Sequence, residues 1–224
     1  MSNTRLPFVD VNPRQSPDAV VIWLHGLGDS GNGFAPIVPE LNLPTNLSIR
    51  FVFPHAPERA VTINNGMKMR AWYDIKTMDF NNRADVEGVH ESAALVEQLI
   101  EEEIAKGIPS QRILLAGFSQ GGVIALHVGT RYSKKLAGIM ALSTYMCEGE
   151  KLAAQRHPAN QNTPIFFAHG QQDEVVPMFL GHAAYKVLED NCYPVEWHDY
   201  LMQHNVCVQE LKDISAWLQE RLGN

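Results

Sequence analysis

A chain of 224 residues with 45% hydrophobic content fits one large α/β domain better than two small ones. Its net charge of −7, with lysines and arginines scattered along the chain, argues against a general affinity for nucleic acid or an anionic membrane surface. Three cysteines, Cys147, Cys192 and Cys207, form no CxxC pair and read as reduced structural thiols; the N-terminus lacks a signal-peptide core and no apolar run reaches the roughly 18 residues of a membrane span, so the expected location is the cytoplasm, without integral membrane association.

The run 19–24, Ala-Val-Val-Ile-Trp-Leu, is continuous, apolar and rich in β-branched residues, as a strand covered on both faces should be. It leads into a glycine-rich loop, His25 to Gly31. A second strand is expected over 48–53, stopped by Pro54 and Pro57. Residues 60–79 read as an irregular excursion or short hairpin over the site, with a turn at Asn64-Asn65-Gly66. Helical spacing of Val86, Val89, Ala93, Val96, Leu99 and Ile100 predicts a helix over 83–106, ended by Gly107 and Pro109. Strands follow at 113–116, 137–142, 164–168 and 195–200, and helices at 120–131, 177–190 and 206–222. The stretch 144–163 reads as a polar surface loop with one helical turn. Strand–helix alternation of this kind implies a single domain spanning 1–224, a mostly parallel sheet with helices on both faces.

Directly after 113–116 comes Gly117-Phe118-Ser119-Gln120-Gly121, a G-x-S-x-G sequence. Such a strand-to-helix turn leaves a serine hydroxyl exposed above the sheet, with small residues on either side because side chains there would collide. A serine needs a base to take its proton, and imidazole titrates near neutrality. Among nine histidines, only His204 follows the last strand and precedes the last helix. His25 and His169 precede glycines at strand ends and read as turn braces. Asp173, in the loop after the strand at 164–168, would hold the imidazole tautomer. Ser119, Asp173, His204 is the Ser…Asp…His order of α/β hydrolases. The backbone N–H groups of Gln120, at a helix start, and Leu27, between Gly26 and Gly28, are the candidate oxyanion donors.

Two other patterns in the chain compete with this set. Gly26-x-Gly28-x-x-Gly31 matches a dinucleotide fingerprint, yet Asp29 would face the pyrophosphate, Pro36 interrupts the expected helix and the second strand ends without a ribose-binding acid. His90-Glu91 begins like H-E-x-x-H, but Ala94 stands where the second histidine belongs, so no metal site is assigned.

The stretches Leu24 to Ser30, Arg70 to Asp74, Gly117 to Gly122, His169 to Pro177 and the His204 loop together resemble the phospholipase/carboxylesterase family of α/β hydrolases, which includes acyl-protein thioesterases. The resemblance implies a serine hydrolase of carboxylic esters with apolar acyl chains, with a thioester or lysophospholipid substrate as the alternative, no metal or cofactor, and small-molecule or acylated-protein substrates; it also allows homodimers. It places the Trp72 segment near an acyl groove, for which Leu27, Trp72, Met78, Phe118, Met146, Val175 and Met178 are candidate walls. Gln203 departs from the glycine that the family often shows before the catalytic histidine.

Overall fold

The computed structural model describes residues 5–77 and 84–223. Its strands are β1 (Phe8–Val11), β2 (Ala19–Leu24), β3 (Ile49–Pro54), β4 (Glu58–Val61), β5 (Met67–Arg70), β6 (Ile113–Phe118), β7 (Gly138–Leu142), β8 (Ile165–Gly170) and β9 (Val195–Tyr200). Its helices are α1 (Gly31–Phe34), α2 (Ile37–Glu40), α3 (Val86–Ala105), α4 (Gln120–Arg131), α5 (Leu152–Gln155), α6 (Met178–Asp190) and α7 (Val208–Leu222). The main sheet runs β1-β3-β2-β6-β7-β8-β9 and is parallel except where β1 pairs with β3.

Alternation along β2 shows how the layers are built. Val20, Ile22 and Leu24 pack with α3 and α4 side chains such as Val96, Ile100 and Val123. Ala19, Val21 and Trp23 point to the opposite face, against Ile214, Trp217 and Leu218 of α7. Successive side chains of a strand leave opposite faces of a sheet, so a run that is apolar at every position needs helices on both sides. All six β2 residues are fully buried. No helix among the described residues is long and apolar enough to cross a membrane.

The strand order reverses its direction of growth around β2, because β3 lies on one side and β6 on the other. Loops leaving β2 and β6 therefore emerge side by side, Leu24 being in register with Gly117, at the kind of crevice where open α/β sheets place their sites.

Several sequence expectations need correction. Phe8–Val11 forms an antiparallel edge strand that four residues of mixed burial did not announce. Residues 31–40 carry the two single-turn helices α1 and α2, which the sequence did not announce, in place of the long helix that the rejected dinucleotide reading would need. The third helix begins at Val86, and the expected start at Arg83 lies outside the described residues. β8 runs through Gly170, two residues past the expected end, because pairing with β9 continues to Gly170–Tyr200. The hairpin expected within 60–79 is β4–β5, paired from Glu58–Arg70 to Val61–Met67.

Candidate active site

Ser119 sits at φ 54°, ψ −117°, a left-handed conformation that costs a non-glycine residue about 1–3 kcal/mol and persists only where the surroundings impose it. Here they do. The Ser119 N–H donates to the Leu142 carbonyl at 2.9 Å, and Thr144 Oγ1 donates to the Ser119 carbonyl at 2.7 Å. The turn leaves no space for flanking side chains. A Cβ on Gly117 would lie 2.2 Å from the Gly121 carbonyl oxygen, and one on Gly121 would lie 2.3 Å from that of Leu24.

Asp173 is fully buried at its side chain, while the His204 ring keeps 16% exposure. His204 Nδ1 lies 2.6 Å from Asp173 Oδ2. The other carboxylate oxygen accepts N–H bonds from Val175 at 2.9 Å and Val176 at 2.8 Å. Burial opposes ionisation of Asp173, but the bonds from His204 and the Val176 backbone outweigh it and hold the carboxyl below its usual range. His169, one turn away, donates from Nε2 to the Val176 carbonyl at 2.7 Å and so braces the same loop. Burial pushes its imidazole below the ordinary histidine range.

The His204 loop is seated by backbone contact. A Cβ on Gly170 would lie 2.4 Å from the Gln203 carbonyl oxygen, so the end of β8 must be glycine for the loop to lie this close. The Gln203 side chain is exposed, and its carbonyl accepts from the Asn205 N–H at 2.9 Å. His204 reaches the elbow through Phe118, whose ring centroid is 4.8 Å from that of His204. The residue beside Ser119 is thus in direct contact with the imidazole.

The N–H groups of Leu27 and Gln120 donate to no protein acceptor among the described residues. Gln120 is also the first residue of α4, where partial positive charge favours an anion. Both donors are locked from beneath by a buried network centred on Trp72. Gln120 Oε1 accepts from the Trp72 N–H at 2.8 Å, and Gln120 Nε2 donates to the Tyr73 carbonyl at 2.7 Å. Trp72 Nε1 donates to the His25 carbonyl at 2.9 Å, and Ser92 Oγ donates to the Trp72 carbonyl. His25 Nε2 accepts from the Ala56 N–H at 3.0 Å, which leaves Nδ1–H to donate to Gly26 O at 2.7 Å. Burial lowers the His25 pKa, and a ring that accepts at one nitrogen while donating from the other is the neutral form.

Trp72 is therefore no groove wall: it is fully buried and acts as the strut between the two loops. Of the other candidates, Met78 lies outside the described residues. Phe118 lines a cleft of about 340 Å³ together with Phe34, Ile37, His204 and Val206. Met146 lines a separate hollow of about 450 Å³ with Tyr145, Leu180 and Val187. Leu27 and Met178 are half-buried, and Val175 is exposed. The geometry thus places Ser119, Asp173, His204, Leu27 and Gln120 at the ends of β2, β6, β8 and β9, and separates the groove candidates. Sequence reading missed the Gln120 side chain, Thr144 and Gly170, because each works through a backbone group far away in the chain. His25 did carry a signal, lying between a strand end and a glycine.

The Gln120 amide gives a test that leaves the N–H donors in place. Gln120→Ala leaves the buried Trp72 N–H without its acceptor, at about 1–3 kcal/mol, and removes the Gln120 donor from the Tyr73 carbonyl. A donor displaced by about 1 Å costs on the order of 10²-fold in rate. The expected result is a lower melting temperature with kcat reduced up to that amount and KM little changed, read from steady-state kinetics beside a thermal melt. An unchanged kcat would show that the network does not position the donors.

The chain is similar to known proteins along nearly its whole length. A family model described as phospholipase/carboxylesterase matches residues 7–222. Acyl-protein thioesterase 1 from Yarrowia lipolytica is 38% identical over 221 residues, 96% of this chain and 97% of the relative. Acyl-protein thioesterase 1 from Neurospora crassa is 42% identical over 213 residues, covering 91% and 87%. Among solved structures, Arabidopsis thaliana SOBER1 aligns with a TM-score of 0.86 at 32% identity, covering 91% of this chain and 99% of that one. Zea mays acyl-protein thioesterase 2 aligns with a TM-score of 0.86 at 27% identity, covering 97% and 99%.

Proposed function

The chain belongs to the phospholipase/carboxylesterase family of α/β hydrolases, and from that premise we propose that it hydrolyses acyl thioesters on proteins, with Ser119 as nucleophile. The observation that carries the mechanism is the Asp173–His204 contact of 2.6 Å brought against the elbow by Phe118. His204 Nε2 takes the Ser119 proton as Oγ attacks the acyl carbonyl. Asp173 keeps Nδ1 protonated and stabilises the imidazolium that forms. The negative charge that develops on the carbonyl oxygen is met by the N–H groups of Leu27 and Gln120. The leaving thiolate receives the proton from His204, and the acyl group stays on Ser119 as an ester. Water, deprotonated by His204, then attacks that ester and releases the carboxylate.

Sequence reading ranks simple carboxylic esters first and thioesters second. The relatives support the second, since those at 38% and 42% identity are acyl-protein thioesterases along nearly their whole length. One triad serves both bonds, so substrate preference has to be measured. Paired oxygen-ester and thioester substrates of equal acyl chain, including an S-acylated peptide, are compared through kcat/KM. The expected outcome is a thioester preference of about tenfold or more, roughly 1.4 kcal/mol of transition-state discrimination. Equal or better turnover of the oxygen esters would return the assignment to carboxylesterase.

A further inference from the structure

Away from the serine, three side chains from three separate elements converge on the outer face of α3 and α4. His90 of α3, His127 of α4 and Glu148 after β7 each offer one ligand atom, all within 4.8 Å of one another. His90 Nε2 is 2.7 Å from Glu148 Oε2, and the His90 and His127 rings lie 5.1 Å apart. His127 supplies an independent sign that the cluster is built for something. It is only 8% exposed, its imidazole makes no hydrogen bond among the described residues, and its Nδ1 is shielded from solvent without a partner. Buried polar groups are nearly always satisfied, and an unpaired one in a native fold calls for an explanation such as an ion.

We propose that His90, His127 and Glu148 bind one divalent transition-metal ion of the zinc class through two imidazole nitrogens and one carboxylate oxygen. Two nitrogens and one oxygen suit zinc, with a fourth position left for water. Tetrahedral bonds of about 2.0–2.2 Å hold ligand atoms roughly 3.4 Å apart, so the 2.7 Å His90–Glu148 pair has to open while the widest separation in the cluster, up to 4.8 Å, closes. His90 supplies the movement, because its side chain is 52% exposed. Glu148 needs little adjustment: Oε1 is already bonded to Lys151 Nζ at 2.5 Å, which orients Oε2 toward the cluster, as outer partners of metal ligands do. An open hollow of about 350 Å³ lined by His90, His127, Glu97 and Arg131 gives the ion a path. The Arg131 guanidinium is turned onto Gln155 Oε1, at 3.0 and 2.9 Å, yet its charge and that of Lys151 oppose a cation. The His90-Glu91 sequence hinted at a metal through the wrong partner: the second histidine comes from the next helix, not from position 94.

This inference does not rest on the hydrolase reading, and its test does not use activity. Chelator-stripped full-length protein is titrated with zinc against a chromophoric zinc indicator, for the wild type and the variants His90→Ala, Glu148→Gln and His204→Ala. His90 is half-exposed, so its removal does not threaten the fold. Wild type and His204→Ala should each bind one equivalent, and His90→Ala and Glu148→Gln should bind at least about 30-fold more weakly. Zinc uptake unaffected by His90→Ala, uptake lost instead in His204→Ala, or no uptake by the wild type at about 100 μM zinc would each overturn the site.

Discussion

Ser119→Ala is expected to lower kcat by about a millionfold while leaving the fold intact, the scale of loss seen when the nucleophile of a serine triad is removed. The substitution deletes one oxygen from a half-buried position and relieves no packing. The elbow keeps its other supports, the 2.9 Å bond to Leu142 and the Thr144 hydroxyl on the residue 119 carbonyl. Alanine inherits the positive φ, so stability changes only modestly, and a thermal melt alongside the assay separates lost chemistry from lost structure. A fluorophosphonate probe should label the wild type and leave Ser119→Ala unmarked. Turnover of the pure variant within about a hundredfold of wild type would remove Ser119 from the mechanism.

Asp173→Asn is the second large effect, expected at about 10⁴-fold in kcat with KM nearly unchanged. The asparagine oxygen is able to keep the N–H bonds from Val175 and Val176, so the loop survives. Its amide NH₂ then faces His204 Nδ1 and requires that nitrogen to accept. The proton moves to Nε2, and the ring loses the lone pair that would take the Ser119 proton. Saturating kinetics near neutral pH test this, and a loss smaller than about tenfold would place Asp173 outside the proton path. Stability adds a second readout. The folded Asp173 carboxyl titrates below its usual range, so its contribution is complete above the unfolded carboxyl's range and disappears as pH falls through the folded value. The stability gap between wild type and Asp173→Asn should therefore narrow at acid pH.

Most of the frame was legible in the residues. The runs 19–24 and 113–116 announced strands by being continuously apolar, and 195–200 by alternating apolar and polar residues. The residues proposed for chemistry were legible as well, because each stands just past a strand end, outside the apolar runs that build the core. The groove was not. Trp72 looked like a wall, being a large apolar face beside a motif, and the structure buries it completely. Burial depends on what packs above a residue, and for Trp72 those atoms come from Gln120, His25 and Ser92, up to 48 positions away.

What the sequence determined by itself, then, is the alternation of the core strands with the long helices, the small residues around Ser119 and the strand-end positions of Asp173 and His204. These follow from local sterics and from the period of the apolar pattern, both of which act over a few residues. Only the tertiary structure decided that the Gln120 side chain serves as a clamp, that Gly170 admits the His204 loop, and that His127 faces His90 and Glu148. Those are contacts between backbone carbonyls, amides and ring nitrogens brought together by the crossovers of a parallel sheet. A parallel crossover joins residues dozens of positions apart, and no local pattern in the chain encodes which of them will meet.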